Sequence, residues 1–132
     1  MDIIDKLAWI EIIDGKILST KSYGKDKFYI PGGKRESGES DIEALSREIS
    51  EELSVKLLSN SLEYIGTFEA QADNHPDGVI VKMTCYTGKY LGELSANSEI
   101  EFIEWLTYND MDKISEVDKI IFDYLKELNL LY

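Results

Sequence analysis

The 132-residue chain is short of several things, and each shortage excludes something. It has one cysteine, Cys85, so an internal disulfide framework cannot form and a reduced compartment fits. In a strand-like apolar run, Cys85 reads as a buried residue rather than a nucleophile. It has one histidine, His75, inside Asp73-Asn74-His75-Pro76-Asp77-Gly78, a tract with the composition of a loop. That histidine reads as a surface residue before a catalytic one. Basic residues are scarce, 14 against 26 acidic, for a net charge of −12. Duplex nucleic acid and anionic membrane surfaces call for a basic face, so both are disfavoured as partners. Small phosphorylated molecules stay open, because metal ions can neutralise their charge. No apolar run is long enough to span a bilayer. The opening MDIIDKLAWIEIID carries acids where a signal peptide needs a basic segment, so a cytoplasmic location is expected. Repeats, low-complexity tracts and linkers are missing as well. One domain over residues 1–132 is therefore expected, and a hydrophobic fraction of 43% allows it a core.

What is present alternates short strands with two helical patterns. Leu7 to Asp14 reads as a strand, turned at Asp14-Gly15 into Lys16 to Lys21. Phe28-Tyr29-Ile30 reads as a short strand leading to a Pro31-Gly32-Gly33 turn. Val55 to Leu58, Leu62 to Ala72 with a bulge at Gly66, Val79 to Tyr90 and Glu101 to Leu106 read as further strands. Asn109 or Asp110 could cap a helical turn. Glu116 to Leu128 is an amphipathic helix with Ile120, Ile121, Tyr124, Leu125 and Leu128 on its buried side. Strands and helices without regular βα alternation give an α+β or mixed-sheet domain.

The most informative stretch runs from Gly32 to Val55. Two glycines after Pro31 let the backbone turn sharply and approach a ligand. Ser40 with Glu43 three residues later is a capping-box signature. Ile42, Leu45, Ile49 and Leu53 then recur at helical spacing and define a core-facing stripe. Glu48, Glu51 and Glu52, spaced i, i+3 and i+4, share one patch beside that stripe. Their mutual repulsion would be relieved by a divalent cation, and such oxygen ligands suit magnesium or manganese. Arg47 sits four residues before Glu51 and can pair with it.

The order Gly33, five residues, Glu39, seven residues, then Arg47-Glu48-Ile49-Ser50-Glu51-Glu52-Leu53-Ser54-Val55 resembles the signature box of the Nudix hydrolases. Ser54 stands where that box has glycine. If the backbone there is left-handed, as just past many helices, serine costs about 1 kcal/mol.

The resemblance implies an α+β fold, an α/β/α sandwich with a mixed sheet between helices. It implies hydrolysis of a diphosphate bond in a nucleoside di- or triphosphate or a related nucleoside diphosphate derivative. Magnesium is the implied cofactor, with manganese able to substitute. By the same resemblance, Glu48, Glu51 and Glu52 are metal ligands with the Gly33 carbonyl, Arg47 orients them, and Glu39 supports the site. Glu99 stands where some members supply a base or ligand, with Glu101 as runner-up. Which glutamate is the base is not written in the sequence. Tyr23, Phe28 and Phe68 are candidates to stack on a nucleobase, and Asp118 to read its edge. Each of these aromatics is also a candidate core residue, and Asp118 also fits a first-turn acid complementing the helix dipole. The partner is a small nucleotide, with no nucleic-acid duplex and no membrane; a homodimer stays open. A catalytically silent binding module is the alternative, but none of the three glutamates is lost. An isomerase of the isopentenyl-diphosphate kind shares the fold, but Cys85 lacks the context that enzyme needs.

Overall fold

The structure, a computed structural model, describes residues 2–132. Its order is β1 (Ile3–Trp9), β2 (Ile12–Ile13), β3 (Lys16–Ser22), β4 (Gly32–Lys34), α1 (Asp41–Leu53), β5 (Lys56–Leu57), β6 (Glu63–Gln71), β7 (Ile80–Thr87), β8 (Tyr90–Leu91), β9 (Ile100–Leu106) and α2 (Glu116–Glu127), with short 3-10 turns at Ser59–Ser61 and Tyr108–Lys113. Four strands form a mixed sheet in the order β4-β1-β7-β6, in which only β1 and β7 run parallel. A second sheet has the order β2-β3-β9, and β5 pairs with β8.

Strand β1 is the centre of the layering. Its alternate side chains point to opposite faces. Leu7 and Trp9 join Leu18 and the helix residues Ala44, Leu45, Ile49 and Leu53 in one core. Ala8 joins a second core with Val117, Ile121, Phe122 and Leu125 of α2. All are buried, which is why Leu7-Ala8-Trp9-Ile10 is a continuous apolar run rather than an alternating one. The result is the expected sandwich of helices around a mixed sheet. Each large side chain so buried contributes about 1.5–3 kcal/mol.

Several expected local features are in place. Asp14 and Gly15 both have positive φ, 52° and 76°, as a tight hairpin turn requires. Ser40 and Glu43 make the reciprocal capping box. The pairing of β6 with β7 shifts register between Tyr64 and Gly66, the expected bulge. Ser54 closes α1 in the left-handed conformation, with φ 61° and ψ 25°.

Other features differ. β1 begins at Ile3, four residues earlier than expected, because it pairs in parallel with β7 from Ile80 onward. The Gly32-Gly33 turn is itself a strand, β4, at the sheet edge. Phe28 and Tyr29 make only isolated bridges, to Ile114 and Thr20. Thr107, not Asn109 or Asp110, caps the turn before α2, with Asp110 completing its capping box. Ile42, Ile120 and Leu128 lie outside the buried stripes and are exposed. The helical period alone cannot say how wide a stripe its neighbours will cover.

Candidate active site

A cavity of about 480 Å³ opens where β1, β3, β4, β7, the segment 25–30, the C-terminal half of α1, the turn before β9, the loop after β6 and the start of α2 meet. The glycines determine how close α1 can come. A Cβ on Gly33 would overlap the Glu48 carboxyl group, and one on Gly32, at φ 150°, would overlap the Leu7 carbonyl. Without side chains there, the helix seats its glutamates directly on strand backbone. The Gly32 N–H donates to Glu52 Oε1 at 3.2 Å, and Glu52 is only 7% exposed.

Arg47 organises the surrounding carboxylates. Its guanidinium donates to Glu39 through Nε at 2.7 Å and Nη2 at 2.9 Å. It also donates to Glu48 Oε1 at 2.9 Å and to the Lys34 carbonyl at 3.1 Å. Glu39 accepts in addition from the Glu36 N–H at 2.8 Å, closing the loop before α1. The hydrogen bonds from Arg47, then that backbone N–H, hold the Glu39 carboxyl down at about 2. The expected partner Glu51 is further off, 3.7 Å from Arg47, and its side chain is 55% exposed.

Glu48, Glu52 and Glu99 all line the cavity. Burial, followed by the nearby Glu99 and Glu48 charges, pushes Glu52 up to about 8, against the pull of the Gly32 N–H. Burial likewise raises Glu48, with Glu51 and Glu99 adding to it. Glu99 is lowered, first by its own backbone N–H, and it shares a hydrogen bond with Glu52. Glu48 and Glu52, raised by burial and then by neighbouring carboxylates, are short of positive charge, and an all-oxygen donor set of this kind suits a hard divalent cation. Among the described residues no three acidic, histidine or cysteine side chains already close on a common point, so the donors are adjacent rather than preassembled.

The remaining expectations divide. Asp118 is fully buried in the first turn of α2. Its Oδ2 accepts from the Ile30 N–H at 3.0 Å, and its Oδ1 has no partner. It lies just behind cavity-lining residues Lys6, Ile30, Asp73 and Ser115. Burial pushes its carboxyl up to about 7 despite the opposing Ile30 N–H, Ser115 and Lys6. The three candidate stacking residues do not line the cavity. Tyr23 is 65% exposed on a loop, Phe28 packs against the α2 core, and Phe68 packs against Tyr124 with ring centroids 5.3 Å apart. Tyr29 lines the cavity in their place. The runner-up Glu101 is paired with Lys21 at 2.9 Å, away from the cavity. His75 also reaches the cavity rim, from its loop. The sequence reading missed Lys6, Lys34 and Asp73. Only Lys34 carried a signal, standing directly after the glycine pair.

A glutamate-bearing helix seated on a glycine strand, inside a mixed-sheet sandwich, defines a Nudix-type site. The comparisons agree. Residues 7–128 match the family described as NUDIX domain, and the chain belongs to that family. It is 32% identical over 120 residues to an ADP-ribose pyrophosphatase of Methanocaldococcus jannaschii, covering 88% of this chain and 69% of that one. It is 28% identical over 101 residues to the uncharacterized Nudix hydrolase YvcI of Bacillus subtilis, covering 76% of this chain and 64% of that protein. The match thus spans less than two thirds of that relative's length. The solution structure of the E. coli ORF135 protein superposes with a TM-score of 0.77 at 25% identity, over 98% of this chain and 92% of that one. Among the described residues no helix is long and apolar enough to cross a membrane.

Proposed function

We propose that this single-domain chain is a cytoplasmic, divalent-metal-dependent hydrolase that breaks a diphosphate bond in a nucleoside di- or triphosphate or related nucleoside diphosphate derivative. The observation that carries the reading is the crowding of Glu48, Glu52 and Glu99 around the glycine strand at one end of the cavity. Glu48, Glu51, Glu52 and the Gly33 carbonyl would hold magnesium or manganese. When bound, the ion supplies charge neutralisation on the phosphates and acidifies water. Arg47 keeps the Glu39 and Glu48 carboxylates oriented through its fork of hydrogen bonds. Glu99, exposed in the turn before β9 and beside Glu52, would take the proton of an attacking water. Asp118, with one oxygen unpartnered, is the candidate to accept a ligand N–H at the other end. The name of the Methanocaldococcus relative makes ADP-ribose one substrate to try.

The test is a panel of nucleoside di- and triphosphates, ADP-ribose and nucleotide sugars, each with magnesium and with manganese. Release of phosphate against diphosphate locates the bond. Glu52→Gln should lower turnover by about a hundredfold or more, since metal-site electrostatics contribute several kcal/mol. A variant that turns over at the wild-type rate in saturating metal would remove Glu52 from the ligand set.

A further inference from the structure

We propose that Lys6 and Lys34 form a cross-strand anion site that grips a substrate phosphate next to the one held at the glutamates. This rests on the hydrolase reading and adds to it a positioning pair on the β1–β4 wall of the cavity.

The first observation is register. Lys6 in β1 and Lys34 in β4 are direct partners in an antiparallel pair. Directly opposed side chains lie on one face of a sheet with their Cβ atoms about 4.5–5.5 Å apart, and like charges in that relation destabilise it. Both lysines line the cavity, and so does Lys25. Among the described residues none of the three takes part in an ion pair, although acids outnumber bases 26 to 14. Lys25 and Lys34 are exposed and Lys6 is half-buried, so the repulsion that an anion would relieve is that of the opposed Lys6–Lys34 pair.

The second observation is position. Lys6 lies within electrostatic reach of both Glu52 and Asp118. Its ammonium is 6.0 Å from the centre of the Tyr29 ring. Burial lowers its proton affinity, and the Lys34 and Lys25 charges lower it further, outweighing Asp118 and Glu52. The wall is therefore under-compensated in the direction an anion would correct. A phosphate carries the right charge, and lysine meets it as a compact point charge with three donors. With the glutamates lining the same cavity, the pair would set a polarity: one phosphate at the glutamates, the next at the lysines.

The experiment uses the intact chain in excess chelator with inorganic pyrophosphate as the probe, so that neither metal nor turnover is needed. Lysine side-chain NMR resonances are followed in the titration. The Lys6 and Lys34 signals should move together with one apparent Kd that weakens as salt rises. Lys6→Met should weaken that Kd by about tenfold or more. Lys6→Arg, which keeps the charge, should recover most of it. Lys113→Met, removing a lysine that pairs with Asp110 and does not line the cavity, should leave it unchanged. Pyrophosphate that shifts only other lysines, a Lys6→Met protein that binds as the wild type does, or a Lys6→Arg protein that binds no better than Lys6→Met overturns the assignment. A chain that passes this titration but cleaves no nucleotide would sink the hydrolase reading and leave the anion site standing.

Discussion

Asp118→Asn, followed by urea unfolding across pH, tests the energetics of the α2 end of the cavity. The carboxyl is raised from an ordinary 3.8 to about 7, chiefly by burial. Below pH 4 it is protonated in both folded and unfolded chains and contributes nothing to their difference. Between pH 4 and pH 7 the unfolded chain releases the proton while the folded chain keeps it. The folded state then binds more protons, so stability falls as pH rises, and the loss is complete just above pH 7. At about 1.4 kcal/mol for each tenfold change in proton affinity, the total is roughly 4 kcal/mol. For a domain of ordinary stability that is a large fraction of the whole.

Asparagine keeps an oxygen to accept from the Ile30 N–H but cannot ionise. Its amide nitrogen replaces the unpartnered Oδ1 and leaves a buried donor unsatisfied, at about 1–3 kcal/mol independent of pH. The charged and titratable neighbours, Lys6 on β1, Tyr29, Asp73 in the loop after β6 and Cys85 on β7, are common to both proteins. Glu52, which titrates in an overlapping range, is also common and cancels in the difference. Urea midpoints at fixed slope, taken from pH 4.5 to pH 8.5, should show wild type the more stable at the acid end. The two curves should converge or cross toward the alkaline end. Parallel curves would mean that Asp118 ionises on folding much as it does in water, and the burial argument would fail.

Ser54→Gly relieves a left-handed serine worth about 1 kcal/mol. It also loosens the unfolded chain by several tenths of that and gives up an exposed hydrogen bond from Asn97. Stability should stay within about half a kcal/mol or rise slightly, with activity kept; a clear drop in the denaturant midpoint at unchanged slope would reject the strain. Chelator should abolish hydrolysis without unfolding the chain, since the two cores do not depend on an ion. Millimolar magnesium should raise the melting temperature by mass action, and identical melting curves would count against a metal site in the free protein. Gly33→Ala should push α1 off β4 through the Glu48 carboxyl. Turnover is expected to fall at least about tenfold with secondary structure retained, measured by steady-state kinetics beside circular dichroism.

What could be read in the sequence was local. Glu48, Glu51, Glu52 and Arg47 fall within six consecutive positions of one helix, so spacing alone places them together. The hairpin at Asp14-Gly15 and the Ser40 capping box were legible for the same reason. The other side of the cavity was not. Lys6, Tyr29, Asp73 and Ser115 come from four separate segments, and only strand pairing brings them together. Nothing near Lys6 in sequence says that Lys34 is its partner. The aromatic candidates lie outside the cavity lining for a related reason: Phe68 is turned toward α2 by the register of β6, which the neighbouring residues do not reveal. The glycine pair was read as a turn because glycine favours turns. Its pairing with Leu7 and Ala8 is a tertiary fact.

The bulge in β6 acts as a change of phase. Ile65 packs into the α2 core, and so do Phe68 and Ala70. One has an odd number and the others even, which strict strand alternation forbids. The extra residue between Tyr64 and Gly66 resolves the conflict, letting both halves of the strand present apolar side chains to one helix. With Gly66 removed, Ile65 would fall opposite Cys85 while Phe68 stayed opposite Met83, so plain alternation would put Ile65, Phe68 and Ala70 on the α2 face without a bulge. The bulge is therefore how the strand absorbs one residue too many while keeping its apolar face whole. Beyond it the register is unchanged, and the loop that sets Asp73 against the Glu116 N–H at 3.4 Å leaves the strand in phase.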